Sequence, residues 1–502
     1  MIRKLWADRH GGYAIAFGLT GLTLVLAAGG TTDMMRYLDT RAKLQDAVDA
    51  TALFVATRHK NGENLDEGSK ALAKSYLTKV FDPRFGSLGD VDASATANSL
   101  TITAQAGLDT FFLKIMKLDK LASSAKSTVT WSTSSMEIAL VLDTTGSMAD
   151  SNKLTSLKSA AKTMVDTLSA KASPSMSIKF SLVPFANFVN VGSGNGAAAW
   201  IDQGGPKRSS YYDAYFSEHA DRMAIFAKLG KTWPGCVETR PAPYDMDDSA
   251  PSTDAPDTLF VPAVHPDEPD SGSYIANDYM NDQTWGDQVT KMKNKKKYDN
   301  PTGIDFSNSN LYSNYKVPKG PQFLCDTKPI QRLTSNYTSV KSQIDALAAA
   351  GSTNVPEGIA WGWRALSPKA PFADGKAYND SDNDKVMVVL TDGTNAINTF
   401  PTDLGGAYSS WGYPMSGRLG SNPGTNLRTG LDAKTRSVCA KAKAAGVKIY
   451  AIGLMIDDAD GQQLLSDCSS GSAYYYNTPS ADKLQAVFDD IAKKISKMRI
   501  SS

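Results

Sequence analysis

A run of 22 residues without a charge, from Gly11 to Thr32, constrains this chain more than any other feature. As a helix it would be about 33 Å long, enough to cross a hydrocarbon core of about 30 Å. Arg3, Lys4 and Arg9 precede it, and this positive charge predicts a cytoplasmic N-terminus with the bulk of the chain outside. The alternative is a cleaved signal peptide with a weak site at Val25-Leu26-Ala27, although the apolar run exceeds the usual signal core.

The composition narrows the function classes. Charged residues make up 21% of the 502 residues and the net charge is +1, so no concentrated basic surface points to a nucleic-acid partner. None of the four histidines forms a helix-spaced pair, which excludes a zinc hydrolase of the His-Glu-x-x-His kind.

The four cysteines agree with export, because an oxidising compartment favours disulfides. They are Cys236, Cys325, Cys439 and Cys468. Three pairings are open to them. We favour Cys236–Cys325 and Cys439–Cys468, since each pair falls within one block of sequence. Four buried free thiols are the alternative.

Hydrophobic patterning predicts three regions. Residues 1–58 form an N-terminal anchor, with a transmembrane helix at about 13–32 that continues as a helix beyond the membrane. Residues 59–132 form a small α+β unit, in which Leu100, Ile102, Ala104 and Ala106 alternate along a strand. Residues 135–498 form the third region.

The third region has the pattern of a parallel α/β sheet. Unbroken apolar runs at Ile138–Leu142 and Val386–Leu390 are typical of strands buried on both faces, and Val447–Leu454 is a third such segment, interrupted only by Lys448. Helical segments lie between them, which predicts a mostly parallel, doubly wound sheet. An insertion at about 188–330 interrupts it.

The charged residues of the insertion are predicted to be solvated. The acidic ones are Asp245, Asp247, Asp248, Asp267, Glu268 and Asp270, and the basic run is Lys291, Lys293, Lys295, Lys296 and Lys297. Calcium binding by the acidic residues and an anionic polymer bound by the lysines are the less favoured readings.

Two of the buried strands end in aspartate, Asp143 and Asp392. Ligands of open α/β sheets bind beyond the carboxyl ends of the strands, so the two carboxylates are expected at one rim. Thr145, Ser147 and Thr353 would add hydroxyls. This all-oxygen set favours a hard divalent ion, Mg²⁺ first, with Mn²⁺ or Ca²⁺ as alternatives. Three ordinary strand-end turns that happen to carry such residues are the competing interpretation.

Asp143-x-Thr145-x-Ser147, Thr353 and Asp392, in this order, resemble the metal-ion-dependent adhesion site of von Willebrand factor A domains. The family usually has serine where this chain has Thr145. The resemblance implies a Rossmann-like fold in which hydroxyls bind the metal directly and the aspartates act largely through water. It also implies a coordination position left for a carboxylate from a protein partner.

The N-terminal segment is similar to tight-adherence (Tad) Flp pilus-assembly proteins, whose TadG-like members carry a von Willebrand A domain. The residues concerned are Arg9-His10-Gly11-Gly12, Gly29 to Asp33 and Asp46 to Leu53. Phe17 stands where prepilin-type processing would want glutamate, so we expect a retained anchor.

The two resemblances imply a single-pass inner-membrane protein with a periplasmic, metal-dependent, adhesion-type binding domain. It would assist Flp pilus assembly or surface attachment, and its partners would include other components of that machinery. A periplasmic scaffold with an idle metal site is the alternative. A hydrolase is a remote alternative, because outside the insertion no histidine lies in the von Willebrand-like segment to act as the base for Ser147. We therefore expect no enzyme.

Overall fold

The computed structural model describes residues 12–56, 58, 67–95, 99–130, 134–173, 176–271, 277–309, 317–399, 403–420 and 427–497. The chain divides into two compact units, Met1–Thr133 with Ser173–Ser175, and Ser134–Ala172 with Met176–Ser502. Arg3, Lys4 and Arg9 lie outside the described residues, as does the juncture up to Gly11. The orientation in the membrane therefore stays a prediction. The division into three regions stays a prediction as well.

The first unit contains two helices, α1 at Gly12–Ala56 and α2 at Glu67–Val80. With 45 residues, α1 is about 68 Å long and continuous, as predicted. It is long and apolar enough near its N-terminus to cross a membrane, by length and composition. Large apolar side chains are exposed along that half: Ile15, Phe17, Leu19, Leu22, Leu24 and Val25. Farther along, Leu44, Val48 and Val55 are buried.

Three antiparallel strands complete the first unit in the order β1 (Ser87–Ala95), β2 (Ser99–Asp109) and β3 (Lys120–Thr130). Leu100, Ile102, Ala104 and Ala106 are buried, which confirms the predicted alternation. Successive side chains of a strand point to opposite faces, so β2 turns one apolar face into the core. That core also contains the buried residues of α1 and α2.

The second unit is built on a six-stranded sheet. Its strands are β4 (Ser134–Asp143), β5 (Met176–Phe185), β6 (Gln331–Thr334), β7 (Asn383–Thr391), β8 (Lys448–Leu454) and β9 (Tyr475–Thr478). The order is β6-β5-β4-β7-β8-β9, with every pair parallel except β5–β6. The predicted mostly parallel α/β sheet is confirmed, and β4 lies inside it.

The helices of this unit are α3 (Lys153–Ser169), α4 (Arg222–Lys228), α5 (Gln288–Lys293), α6 (Tyr337–Asp345), α7 (Val355–Leu366), α8 (Leu427–Ala444), α9 (Ala459–Cys468) and α10 (Leu484–Lys497). Leu140 of β4 faces the apolar cluster that contains α3, α6 and α10. Val141, one residue later, faces the cluster that contains α7 and α8. Both faces of β4 are therefore buried, which explains its unbroken apolar sequence.

The insertion is folded, and its apolar residues join the cluster of α7 and α8. Phe226, Trp233, Phe260 and Tyr279 are all buried there. Apart from α4 and α5 the insertion consists mainly of turns and isolated bridges in its described part. This irregular backbone accounts for the absence of a helix or strand period in its sequence.

The prediction that the charged residues of the insertion are solvated is wrong for several of them. Asp245, Asp248, Asp267 and Glu268 are buried. Lys297 is buried as well, and its Nζ lies 2.6 Å from Asp267 Oδ2. Buried charges must be paired, and these two partners are 30 residues apart, so no local pattern in the sequence reveals their burial.

Both disulfides have the pairing favoured from the sequence. Cys236–Cys325 spans the insertion with a Cα–Cα distance of 5.9 Å. Cys439–Cys468 joins α8 to the last residue of α9 at 5.0 Å. Each cross-link closes a loop within the second unit and so restricts the unfolded chain.

Candidate metal site

Neighbouring parallel strands bring the two predicted carboxylates to the same rim of the sheet. β4 and β7 pair in parallel with Leu142 opposite Leu390. Asp143 ends β4, and Asp392 comes directly after β7. Residues 249 apart in sequence therefore lie at the same rim, as expected for the carboxyl ends of neighbouring parallel strands.

Asp143 is fully buried at this rim. Its Oδ1 accepts a hydrogen bond from the Thr145 backbone N–H at 2.8 Å, and its Oδ2 accepts one from Thr391 Oγ1 at 2.6 Å. Burial, and then the negative charge of Asp392, raise the pKa of Asp143 to about 7. Two close carboxylates in a desolvated position favour a shared cation.

Two hydroxyls link Thr145, whose backbone N–H bonds Asp143, to Asp392. Thr145 Oγ1 lies 3.2 Å from Ser147 Oγ, and Ser147 Oγ donates to Asp392 Oδ1 at 2.7 Å. Ser147 is exposed whereas Thr145 is buried, so the set opens to solvent on the Ser147 side. Ser147 Oγ thus bonds a carboxylate and another hydroxyl, which is not the serine–imidazole arrangement of a hydrolase.

Lys153, the first residue of α3, is a member of the site that sequence reasoning missed. Its Nζ lies 2.7 Å from Asp392 Oδ2 and 3.5 Å from the Ser147 carbonyl oxygen. The Lys153 side chain is 11% exposed and that of Asp392 is 0% exposed. The sequence does show a lysine ten residues after the strand-end aspartate. This spacing alone does not indicate that the lysine ammonium turns back to the rim.

Thr353 reaches the rim through the backbone of a third loop. The Gly146 N–H donates to the Gly351 carbonyl at 2.9 Å, and the Ala396 N–H donates to the Thr353 carbonyl at 2.9 Å. A Cβ placed on Gly393 would lie 3.5 Å from Thr353 Oγ1, so this hydroxyl borders the loop that carries Asp392.

Asn187 fixes that third loop and was also missed. Its Oδ1 accepts from the Ser352 N–H at 2.6 Å. Gly351 has a φ of +81°, and a Cβ there would overlap Asn187 Oδ1, so glycine is required. No pattern in the sequence connects Asn187 with a loop more than 160 residues later.

The donor set fits a hard divalent cation. Asp143, Thr145, Ser147 and Asp392 form one hydrogen-bonded set, and Thr353 lies on the adjoining loop. All five offer oxygen, the ligand that Mg²⁺ and Ca²⁺ prefer. Within the described part of the chain no three His, Cys, Asp or Glu side chains converge as a metal site. A metal at this rim would therefore depend on hydroxyls as well as carboxylates.

Solved structures similar to this chain include several pilus proteins. The pilus adhesin SpaC from Lactobacillus rhamnosus GG has 12% identity and a TM-score of 0.34, and the match covers 81% of this chain and 34% of SpaC. The von Willebrand factor domain of the type V pili tip protein Mfa5 from Porphyromonas gingivalis has 10% identity, coverages of 72% and 95%, and a TM-score of 0.33. The PilB minor pilin from Streptococcus sanguinis has 12% identity, coverages of 83% and 80%, and a TM-score of 0.32.

This chain thus spans about a third of the length of SpaC. At TM-scores this low, the similarities establish neither a shared fold nor a function. No curated protein matches the chain. Residues 11–58, which include the whole of α1, match the family model of Flp pilus-assembly TadE/G-like proteins, and this similarity concerns the N-terminal segment alone.

Proposed function

We propose that this protein is anchored in the inner membrane through α1 and presents a von Willebrand A-like domain that binds a protein partner through a divalent cation. The observation that carries the proposal is the hydrogen-bonded set of Asp143, Thr145, Ser147 and Asp392 at the carboxyl rim of the sheet. The doubly wound arrangement of the sheet belongs to the same proposal, supported by its mostly parallel strands and by apolar clusters on both faces.

Within this proposal, Thr145, Ser147 and Thr353 would hold Mg²⁺ by their hydroxyls, and Asp143 and Asp392 would balance its charge. Mn²⁺ or Ca²⁺ would suit the same oxygens. A bound ion would supply an electrophilic position for a carboxylate of the partner. The exposed Ser147 marks the side from which a partner carboxylate would approach.

The family match of residues 11–58 supports a role in assembling Flp-type pili or in surface attachment. The partner would then be another component of the pilus-assembly machinery. The positive charges before α1 favour a cytoplasmic N-terminus and a periplasmic second unit. Apolar side chains are exposed in the N-terminal half of α1 and buried farther along it. This supports a retained anchor, because the same helix continues into the core of the first unit.

One observation favours a second candidate, a scaffold whose metal site stays idle. The Lys153 ammonium already bonds Asp392 Oδ2, so one carboxylate of the site has a permanent cation from the chain itself. In that case neither chelation nor substitution at the rim would alter partner binding.

A pull-down from solubilised membranes separates the two candidates. The full chain is used as bait, once with Mg²⁺ and once with a chelator, and so is the variant Asp143→Ala. Asp166→Ala is the control, because Asp166 is an exposed aspartate that pairs with Lys341 on α6. The adhesion-type function predicts partners that disappear with chelator and with Asp143→Ala, without further loss when the two are combined. Partners retained at equal yield in all samples would favour the scaffold.

A further inference from the structure

The loop between β2 and β3 exposes an apolar surface in the first unit. Phe111 is 67% exposed, Ile115 61%, Met116 58% and Leu118 49%. Single exposed apolar residues are ordinary, whereas four within eight residues form a patch that a soluble surface rarely shows. We call residues 110–118 the apolar loop.

The apolar loop is held tightly against one point of α1. Asp33 of α1 accepts hydrogen bonds from three successive backbone amides, those of Phe111 at 3.1 Å, Phe112 at 2.8 Å and Leu113 at 2.9 Å. The Phe112 ring packs directly over Gly29, where a Cβ would overlap it. The position of the loop along α1 is therefore fixed to the stretch from Gly29 to Asp33.

That stretch is where the uncharged run ends. Asp33 is the first charged residue after Gly11, and it is 0% exposed because the loop covers it. A carboxylate that is fully hydrogen-bonded can lie at the edge of a bilayer at far lower cost than a bare one. The exposed apolar surface also continues past Asp33 on α1 itself, at Met34 and Met35.

The charges of the apolar loop suit a lipid surface. Lys114 and Lys117 are both exposed on it, between the apolar side chains. Long basic side chains reach outward to headgroups while their stems lie along apolar surface. Anionic lipid headgroups attract basic residues that lie near the membrane surface.

We propose that the apolar loop inserts Phe111, Ile115 and Met116 into the bilayer leaflet where α1 emerges, with anionic headgroups at Lys114 and Lys117. The partner of this surface is the lipid membrane. The loop and α1 then form a two-point attachment, which sets the tilt of the first unit relative to the membrane. This proposal rests on membrane anchorage by α1, and the experiment below tests the two separately.

Spin labels on single cysteines measure the depth of chosen positions in the full chain. All four native cysteines are in disulfides, so an introduced cysteine is the only free thiol. The variants are Met116→Cys in the loop, Leu24→Cys in the apolar run, and Leu53→Cys, which is exposed on α1 about 30 Å beyond Asp33. Each is placed in nanodiscs of phosphatidylethanolamine and phosphatidylglycerol, one chain per disc, and probed with oxygen and with a water-soluble nickel chelate.

We expect oxygen to be the more effective relaxant at Leu24→Cys and Met116→Cys, and the nickel chelate at Leu53→Cys. Charge reversal by Lys114→Glu with Lys117→Glu should shift the Met116→Cys label toward water, and replacing phosphatidylglycerol with phosphatidylcholine should do the same.

A Met116→Cys label that behaves like Leu53→Cys while Leu24→Cys stays in lipid overturns the loop proposal and leaves the anchor intact. A label at Met116→Cys shielded from both relaxants also overturns it, since a protein surface would then cover the loop. Nickel access at Leu24→Cys overturns the anchorage itself.

Discussion

Lys153→Met separates the two roles that the lysine has at the rim. In the metal-free protein the ammonium stabilises Asp392, whose side chain is completely buried. When a divalent cation binds, the same ammonium is a competing cation 2.7 Å from the carboxylate. Removing Lys153 should therefore lower stability in chelator and raise Mg²⁺ affinity.

The magnitudes follow from the burial of the pair. Removing one partner of a buried ion pair costs about 3–5 kcal/mol. Because the Lys153 side chain is slightly exposed, we expect the free energy of unfolding to fall by about 3 kcal/mol, the lower end of that range. A hydrogen bond to a charged group is worth about 1.5–3 kcal/mol, and the metal no longer has to replace it in the variant. That free energy corresponds to about 10- to 100-fold tighter Mg²⁺ binding.

Calorimetric titration with Mg²⁺ and denaturation in chelator measure the two effects on the same preparations. Lys162→Met is the control, because Lys162 lies on the same helix and pairs with an exposed aspartate, Asp345, at 2.6 Å. It should change both quantities by less than about 1 kcal/mol. Equal or weaker Mg²⁺ binding by Lys153→Met would refute the competition argument and give Lys153 a purely supporting role.

Three further outcomes are expected. Changing Cys439 and Cys468 together to serine opens a loop with a sequence separation of 29 and should lower the free energy of unfolding by about 3–4 kcal/mol. The melting temperature should fall while Mg²⁺ binding stays measurable, and peptide mass mapping that finds another cysteine pairing would contradict this expectation. Lys297→Met leaves the buried carboxylate of Asp267 unpaired and should cost about 3–5 kcal/mol at pH 8. Burial raises the pKa of Asp267 to about 7, above its unfolded value near 4, so this carboxyl favours the folded state most at low pH and loses that effect as the pH rises through 7. The loss in Lys297→Met should therefore be smaller at pH 5 than at pH 8, and equal denaturation midpoints for variant and wild type at pH 8 would rule out the buried pair. Thr145→Ser should keep Mg²⁺ binding and Thr145→Val should lose it, because only serine retains the hydroxyl; titrations that rank the two variants equally would remove this residue from the site.

The elements that the sequence predicts well are those with strong local patterns. The apolar runs at Ile138–Leu142 and Val386–Leu390 lie in central strands, because burial on both faces leaves no polar position. The alternation on β2 is confirmed for the complementary reason, since only one of its faces enters the core. The edge strands β6 and β9 have four residues each, too few for a period to stand out.

The candidate site shows the same division. Asp143 and Asp392 could be placed together from the rule that parallel strands end at one rim. Lys153 and Asn187 could not, because their roles depend on how a side chain turns back and on a contact between loops distant in sequence. The burial of charged residues in the insertion could not be predicted for the same reason, because the pairing of Asp267 with Lys297 exists only in the folded chain.

Direct titration of Mg²⁺ into the full chain shows whether the rim binds a divalent cation, with Asp143→Asn as the nearly isosteric variant and Asp166→Asn as the control. Asp143→Asn keeps the side-chain shape and removes one of the two carboxylates that the rim supplies. We expect a binding isotherm for the wild type and Asp166→Asn that is absent for Asp143→Asn. Unchanged Mg²⁺ affinity in Asp143→Asn would contradict the metal site and, with it, metal-dependent capture of a partner.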